Sequence, residues 1–199
     1  MEAYEAITGR RSLRQFGPTP VARLLLQKLL YAAVLAPAPH HTRPWRFVLL
    51  ETERARRRLA EAMGAAWRRD LEGDGVAEER IAYLLDRSRR QIEGAPALVL
   101  GCLVAEGLRS WPDEARQRAE FRMAVQSMGC AIENVMVAAH AEGLASFWLS
   151  APLFCGDAVR DALDLPAAYE PQALIAIGYP DAQPRPRPEP DVAKLIEAR

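Results

Sequence analysis

The residues best suited to chemistry stand in three short stretches. Arg10-Arg11-Ser12-Leu13-Arg14 puts three guanidinium groups and a hydroxyl within five residues. Arginine forks match phosphate oxygens two bonds at a time, and the serine adds a short-range hydrogen bond, so the stretch is a candidate anion site. Ala36-Pro37-Ala38-Pro39-His40-His41-Thr42-Arg43-Pro44-Trp45-Arg46-Phe47 is a turn with three prolines, two histidines and two arginines, and it runs into the apolar segment Phe47-Val48-Leu49-Leu50. Prolines fix backbone shape before a ligand arrives, and binding residues concentrate on loops held by rigid elements. Near the far end, Gly178-Tyr179-Pro180 precedes Arg185 and Arg187 in a stretch with five prolines from Pro180 to Pro190. Other chemistries are poorly served. No Ser/His/Asp arrangement stands out, and Gly73-Asp74-Gly75 reads as a helix breaker rather than a phosphate loop. No acidic cluster accompanies His40 and His41, so no metal site is expected.

The bulk numbers narrow the class. The chain has 199 residues, half of them hydrophobic, enough for one core and one domain over 1–199. Lys+Arg and Asp+Glu are both 26, without the basic excess of a nucleic-acid binder. Cys102, Cys130 and Cys155 are odd in number and lack CxxC spacing, which argues against a disulfide framework or zinc. The start has no apolar leader, and no run approaches the ~18 apolar residues of a membrane span, so a soluble cytoplasmic protein is expected.

The elements that must position these stretches follow from periodicity. A short helix over 2–9 closes at Gly9. Pro20 sits in the first turn of a second helix, whose stripe Leu24, Leu25, Leu29, Ala32 and Ala33 ends before Pro37. Arg46 to Leu50 is a strand, followed by Arg-rich helices over 52–72 and 78–93 whose charge runs read as solvated faces. Ala97 to Leu103 is apolar without alternation, as in a strand covered on both sides. The dominant helix covers 113–142. From Met128 to His140 it is apolar almost all round, so it must be buried, either as a monomer's central helix or partly by a second subunit. Ser146–Leu149 is a strand, Asp157–Leu163 a helix, Leu174–Ile177 a last strand, and the proline-rich tail should be extended.

In sum these stretches resemble the FMN-dependent nitroreductase family. The match covers roughly residues 4–187. It includes the N-terminal arginines followed by Phe16, the segment Glu142-Gly143-Leu144-Ala145-Ser146-Phe147-Trp148, and the glycine-ended strand before the tail. Within the family, the loop at 36–44 is similar to the deazaflavin branch, the flavin reductase domain of the two-domain proteins that finish coenzyme F420. Trp67-Arg68-Arg69-Asp70-Leu71, Trp111-Pro112-Asp113-Glu114 and Leu153-Phe154-Cys155 point the same way. Many nitroreductases instead carry Ser, Asn and Gln where this chain has Ala38, His41 and Arg43.

The resemblance implies an α+β nitroreductase-like fold: a central mixed or antiparallel sheet, flanking helices, a long core helix, and a homodimer with FMN at the interface. It implies cofactor contacts from Arg10, Arg11, Ser12, Arg14, Ala38, Pro39, His40, Ser146, Arg185 and Arg187, and acceptor contacts from His41, Arg43, Arg68 and Asp70. Hydride would pass through flavin N5, so no catalytic side chain is required. The implied acceptor is the dehydro precursor of coenzyme F420. The alternatives are a general NAD(P)H-dependent reductase of nitroaromatics, quinones or enones, and a flavin or deazaflavin binder without turnover. Glutamate addition, the task of the second domain in those proteins, is not expected here. Nucleic acid and membrane are not expected partners.

Overall fold

The computed structural model describes residues 1–184 and 186–199. Its elements run α1 (Ala3–Gly9), α2 (Arg23–Val34), β1 (Trp45–Leu49), α3 (Glu53–Gly73), α4 (Glu78–Glu93), β2 (Ala97–Val104), α5 (Glu114–Ala141), β3 (Ala145–Leu149), α6 (Gly156–Leu163) and β4 (Tyr169–Gly178). The four strands form one sheet in the order β1-β2-β4-β3, every neighbouring pair antiparallel. The mixed or antiparallel sheet expected from the sequence is therefore antiparallel among its named strands. Among the described residues a parallel contact appears only as an isolated bridge between Ser12 and Ser146.

Two cores lie on the two sides of this sheet. On one side, Leu29 and Ala33 of α2 and Met128, Ala131, Ile132, Val135 and Ala139 of α5 pack on Val99, Ile175 and Ile177. On the other, Leu59, Ala60 and Met63 of α3 and Val159 of α6 pack on Leu98, Leu100, Phe147 and Leu174. All eight residues of β2 are buried, because the strand is central and both its faces are covered.

Local chemistry sets the ends of the two longest helices. The Thr52 side chain accepts from Ala55 N at 3.1 Å, and the Asp113 side chain from Arg116 N at 2.9 Å. Each cap contributes about 1 kcal/mol. Arg56 folds back to donate to the main-chain oxygens of Leu50 (2.9 Å), Ala95 and Pro96 (3.2 Å), which pins α3 to the strand ends.

Several expectations shift. The second helix begins at Arg23, with Ala22 as its cap, so Pro20 precedes it instead of opening it; Val21 is buried ahead of the first turn. The last strand begins five residues early, at Tyr169, because it pairs with β2 across a register shift at Gly101/Cys102 that carries Glu170 and Pro171 into the ladder. From Pro180 to Asp191 the described residues form no helix or regular strand. The apolar second half of α5 is buried within this one chain, so its burial does not itself call for a second subunit. The uncovered apolar side chains of α5 come earlier, at Met123 and Val125.

Candidate functional site

The two ends of the chain meet at one corner of the sheet. Residues 10–16 run beside β3 and the end of β4. Leu13 N donates to Ser146 O (3.2 Å), Gly17 N to Tyr179 O (2.9 Å) and Asp181 N to Gln15 O (3.2 Å). Gly178 is required for this approach, since a Cβ there would lie 2.7 Å from Pro96 and 2.9 Å from the Phe16 ring. The seam fixes Arg10. Its Nε donates to Glu133 Oε1 at 2.9 Å, and its main-chain oxygen accepts from Arg187 Nη2 at 2.8 Å. Arg10 Nη1 and the Ser146 hydroxyl are buried and have no hydrogen-bond partner. Native proteins leave few such atoms unsatisfied, so two in one corner mark a place for a polar ligand. Ser12 and Arg14 flank it, both exposed, and Arg11 is half-buried. Arg185 lies outside the described residues.

Arg14 leads from this corner into a cleft of about 510 Å³, a size that suits a small-molecule ligand. Its guanidinium carbon sits 5.3 Å from the centroid of Phe147, which stacks in turn on Phe16. The cleft runs along β3 to Phe154 and Cys155, and its opposite wall is the inner side of the α3–α4 hairpin. Asp70 lines it. Arg68 does not: its guanidinium is held by Glu72 (3.2 Å) and Glu78 (2.9 Å) on the solvent side. Burial first, and then the Asp70 carboxylate, push the Cys155 thiol upward, away from the lowered range of activated cysteines. Burial drives Cys102 up to about 12.

Sequence reasoning missed Arg87 and Gln91, which also line the cleft. A signal was available. Leu84, Arg87, Ser88 and Gln91 recur at i, i+3, i+4 and i+7, one face of α4, and all four line the cleft.

The histidine loop lies elsewhere. His40, His41 and Arg43 take φ of 53°, 57° and 47°, left-handed conformations that cost an L-residue roughly 1–2 kcal/mol each. The Thr42 hydroxyl donates to Pro39 O at 2.9 Å, and Ala38 packs on the α2–α5 core. Behind the loop stands Glu120, 1% exposed, which accepts from the Trp111 indole and from Arg109 N, both at 3.2 Å. The Trp111 bond foremost, then that of Arg109, and His40 through its charge, hold the Glu120 carboxyl below its ordinary range.

The helix α5 measures the gap between the two places. Arg10 is bound to Glu133, while His40 acts on Glu120, 133 − 120 = 13 residues away. At 1.5 Å per residue that is about 20 Å. One chain thus brings Arg10, Ser12, Arg14, Ser146 and Arg187 to one corner, with Asp70 in the adjoining cleft. Ala38, Pro39, His40, His41 and Arg43 stay at the other end of α5. Among the described residues no three His, Cys, Asp or Glu side chains are grouped to hold a metal, and no helix is long and apolar enough to cross a membrane.

The model of the family described as the nitroreductase family matches residues 7–179. Iodotyrosine deiodinase of Drosophila melanogaster is 28% identical over 182 residues, covering 89% of this chain and 62% of that protein. The chain spans about three fifths of the length of the curated relatives it matches. Among solved structures, a BluB-like flavoprotein from Clostridium difficile 630 superposes with a TM-score of 0.83 at 23% identity, covering 100% of this chain and 99% of the other. A putative nitroreductase in complex with FMN from Desulfovibrio desulfuricans gives 0.74 at 24% identity, covering 100% and 98%. Both likenesses establish the fold, with its antiparallel four-stranded sheet.

Proposed function

The chain belongs to the nitroreductase family, and from that premise we propose that it is an FMN-dependent oxidoreductase acting on a small-molecule acceptor. The observation that carries the reading is the pair of buried, unsatisfied atoms, Arg10 Nη1 and Ser146 Oγ, where the chain's two ends meet. An anionic, hydroxyl-rich group fits such a corner. Arg10, Arg11, Ser12, Arg14 and Arg187 would hold the FMN phosphate and ribityl hydroxyls, and Ser146 would donate its hydroxyl proton. When bound, FMN supplies hydride transfer through its N5. The chain's own task is to orient: Arg14 and Phe147 fix the mouth of the cleft, Trp148 and Leu149 form its floor, and α3 and α4 limit water on the far side.

For the remaining half of the predicted site we infer a homodimer. The rise of about 20 Å along α5 between the corner and the loop supports a reading in which Ala38, Pro39 and His40 reach the cofactor from a second copy. His41 and Arg43 of that copy would then face the acceptor beside Asp70. The proposed acceptor is the dehydro precursor of coenzyme F420, whose phosphate and carboxylates suit Arg43 and whose ring N–H suits Asp70. A general NAD(P)H-dependent reductase is the second reading, and the outward pairing of Arg68 with Glu72 and Glu78 favours it, because one expected anion contact is occupied.

The visible spectrum of the purified protein tests the first claim: it should be yellow, and the released cofactor should be FMN. A colourless preparation that also refuses added FMN overturns it. Calorimetry with coenzyme F420, set against turnover of nitroaromatics, decides the acceptor. Reoxidation of the reduced protein by any acceptor separates an enzyme from a carrier.

A further inference from the structure

The hairpin wall of the cleft carries a charge pattern that cofactor binding does not use. α3 and α4 run antiparallel about the turn between Gly73 and Glu78, so position along the hairpin can be counted from that turn. Asp70 lies three residues before the end of α3 and Arg87 nine residues after the start of α4. At 1.5 Å per residue the two charges stand at levels roughly 9 Å apart along the hairpin. Trp67 and Leu84, each six residues from its helix end, fall midway and present an apolar surface between them. The wall therefore reads carboxylate, indole, guanidinium in order.

Neither charge is spent elsewhere. Arg89 and Arg90, on the same turn as Arg87, are bound to Asp86 and Glu93. Arg87 has no ion pair among the described residues, and Asp70 has none either, yet both line the cleft. Arg14 and Gln91 lie at the Arg87 end, while Phe154 and Cys155 flank the far side of the cleft.

We propose that the cleft selects an aromatic acceptor with an anionic group at one end, held by Arg87, and a hydrogen-bond donor at the other, held by Asp70. This rests on reading the cleft as the acceptor site, and it replaces Arg68, which faces solvent, with Arg87. A para-substituted ring lying on Trp67 has about the length required. A ring with an anionic group at both ends meets the Asp70 carboxylate and is rejected. One with neither group gains only the apolar contact.

Three unreactive probes test the pattern at equilibrium: benzoate, phenol and 4-hydroxybenzoate, followed by quenching of tryptophan fluorescence with and without FMN. The 4-hydroxybenzoate should bind most tightly. Arg87→Ala should weaken benzoate and 4-hydroxybenzoate about tenfold, the loss of one charge-assisted hydrogen bond, and leave phenol unchanged. Arg87→Lys should restore part of the loss. Asp70→Ala should weaken phenol and 4-hydroxybenzoate severalfold and leave benzoate equal or tighter. Both variants should keep FMN affinity within about twofold. The proposal falls if the wild type binds none of the probes, if Arg87→Ala weakens all three alike, or if it lowers FMN affinity, which would place Arg87 in the cofactor site. The probe pattern without any FMN binding would instead sink the flavoprotein reading and leave the cleft's selectivity standing.

Discussion

The corner around Arg10 and the loop around His40 use similar materials, cationic side chains beside small polar ones, yet they fold to opposite conditions. At the corner, backbone seams from both ends of the chain fix every approach, and two polar atoms are buried without partners. At the loop, the backbone itself is strained into left-handed turns, and His40, His41 and Arg43 project into solvent. One buries polar atoms without partners; the other exposes its charged side chains. About 20 Å of α5 separates them, and the homodimer proposed above would bring the loop of one copy to the corner of the other, giving two equivalent sites through an isologous contact.

The test with the largest expected effect breaks that arrangement. Cys130 is exposed on α5 between Glu120 and Glu133, near the uncovered Met123 and Val125. Cys130→Arg should give a monomer by light scattering and reduce FMN affinity at least about a hundredfold, or roughly 2.7 kcal/mol. A monomer that binds FMN as well as the wild type would end the reading of two half-sites. Within the corner, Arg14→Ala should cost about 1.5–3 kcal/mol of FMN binding, the range for hydrogen bonds to charged groups, and leave the dimer intact. Equal affinity in a titration would remove Arg14 from the cradle.

The difference between corner and loop also explains what was legible in the sequence. Helix α5 and strand β2 were legible from their apolar patterns, the first recurring at helical spacing and the second a continuous run, because such patterns act locally. The early start of β4 at Tyr169 did not, since Glu170 and Pro171 join the ladder only through a register shift in a strand far away in sequence. For the site, residue type marked Arg10, Ser12 and Arg14 as a set, Ser146 came only from the family resemblance, and the seam brings the two stretches together. The separation of His40 from them was not readable, because it depends on how α2 and β1 place the loop against the first turns of α5. The resemblance of Trp67 to Leu71 drew attention to α3, where helical phase turns Arg68 toward Glu72 and Glu78 and Asp70 toward the cleft. Arg87 was passed over as one of several arginines in a charged run, where only the pairing of Arg89 and Arg90 sets it apart.

A smaller effect, of mixed sign, sharpens the claim that the corner awaits a ligand. Ser146→Ala removes a buried hydroxyl that has no partner. The ligand-free protein should therefore be unchanged or stabilised, by up to about 1 kcal/mol, because an unsatisfied polar group is deleted. Binding of FMN should weaken by a similar amount, since the hydroxyl's intended partner is lost. Thermal melts with and without FMN give both numbers from one preparation. Loss of stability in the ligand-free form would mean that the hydroxyl is already satisfied and the corner is ordinary core.

The smallest effect belongs to the loop, and it is a pH effect. Hydrogen bonds from the Trp111 indole and Arg109 N hold the Glu120 carboxyl below its ordinary range in the folded chain. A group depressed in this way adds stability that is complete above its unfolded pKa, about 4.3, and disappears as pH falls through the lower folded value. The latch between Trp111 and the start of α5 is thus closed at neutral pH and opens only in acid. Glu120→Gln cannot titrate, so its melting temperature should fall less steeply between pH 5 and pH 3 than that of the wild type. Under the proposed dimer, its affinity for FMN at pH 7 should drop slightly, because the loop offered to the second copy would be held less firmly. The corner's own contribution, read from Arg14→Ala at the same two pH values, should keep the wild-type slope. Parallel slopes for wild type and Glu120→Gln would show that the loop is held by its strained backbone alone, with the buried carboxylate incidental to it.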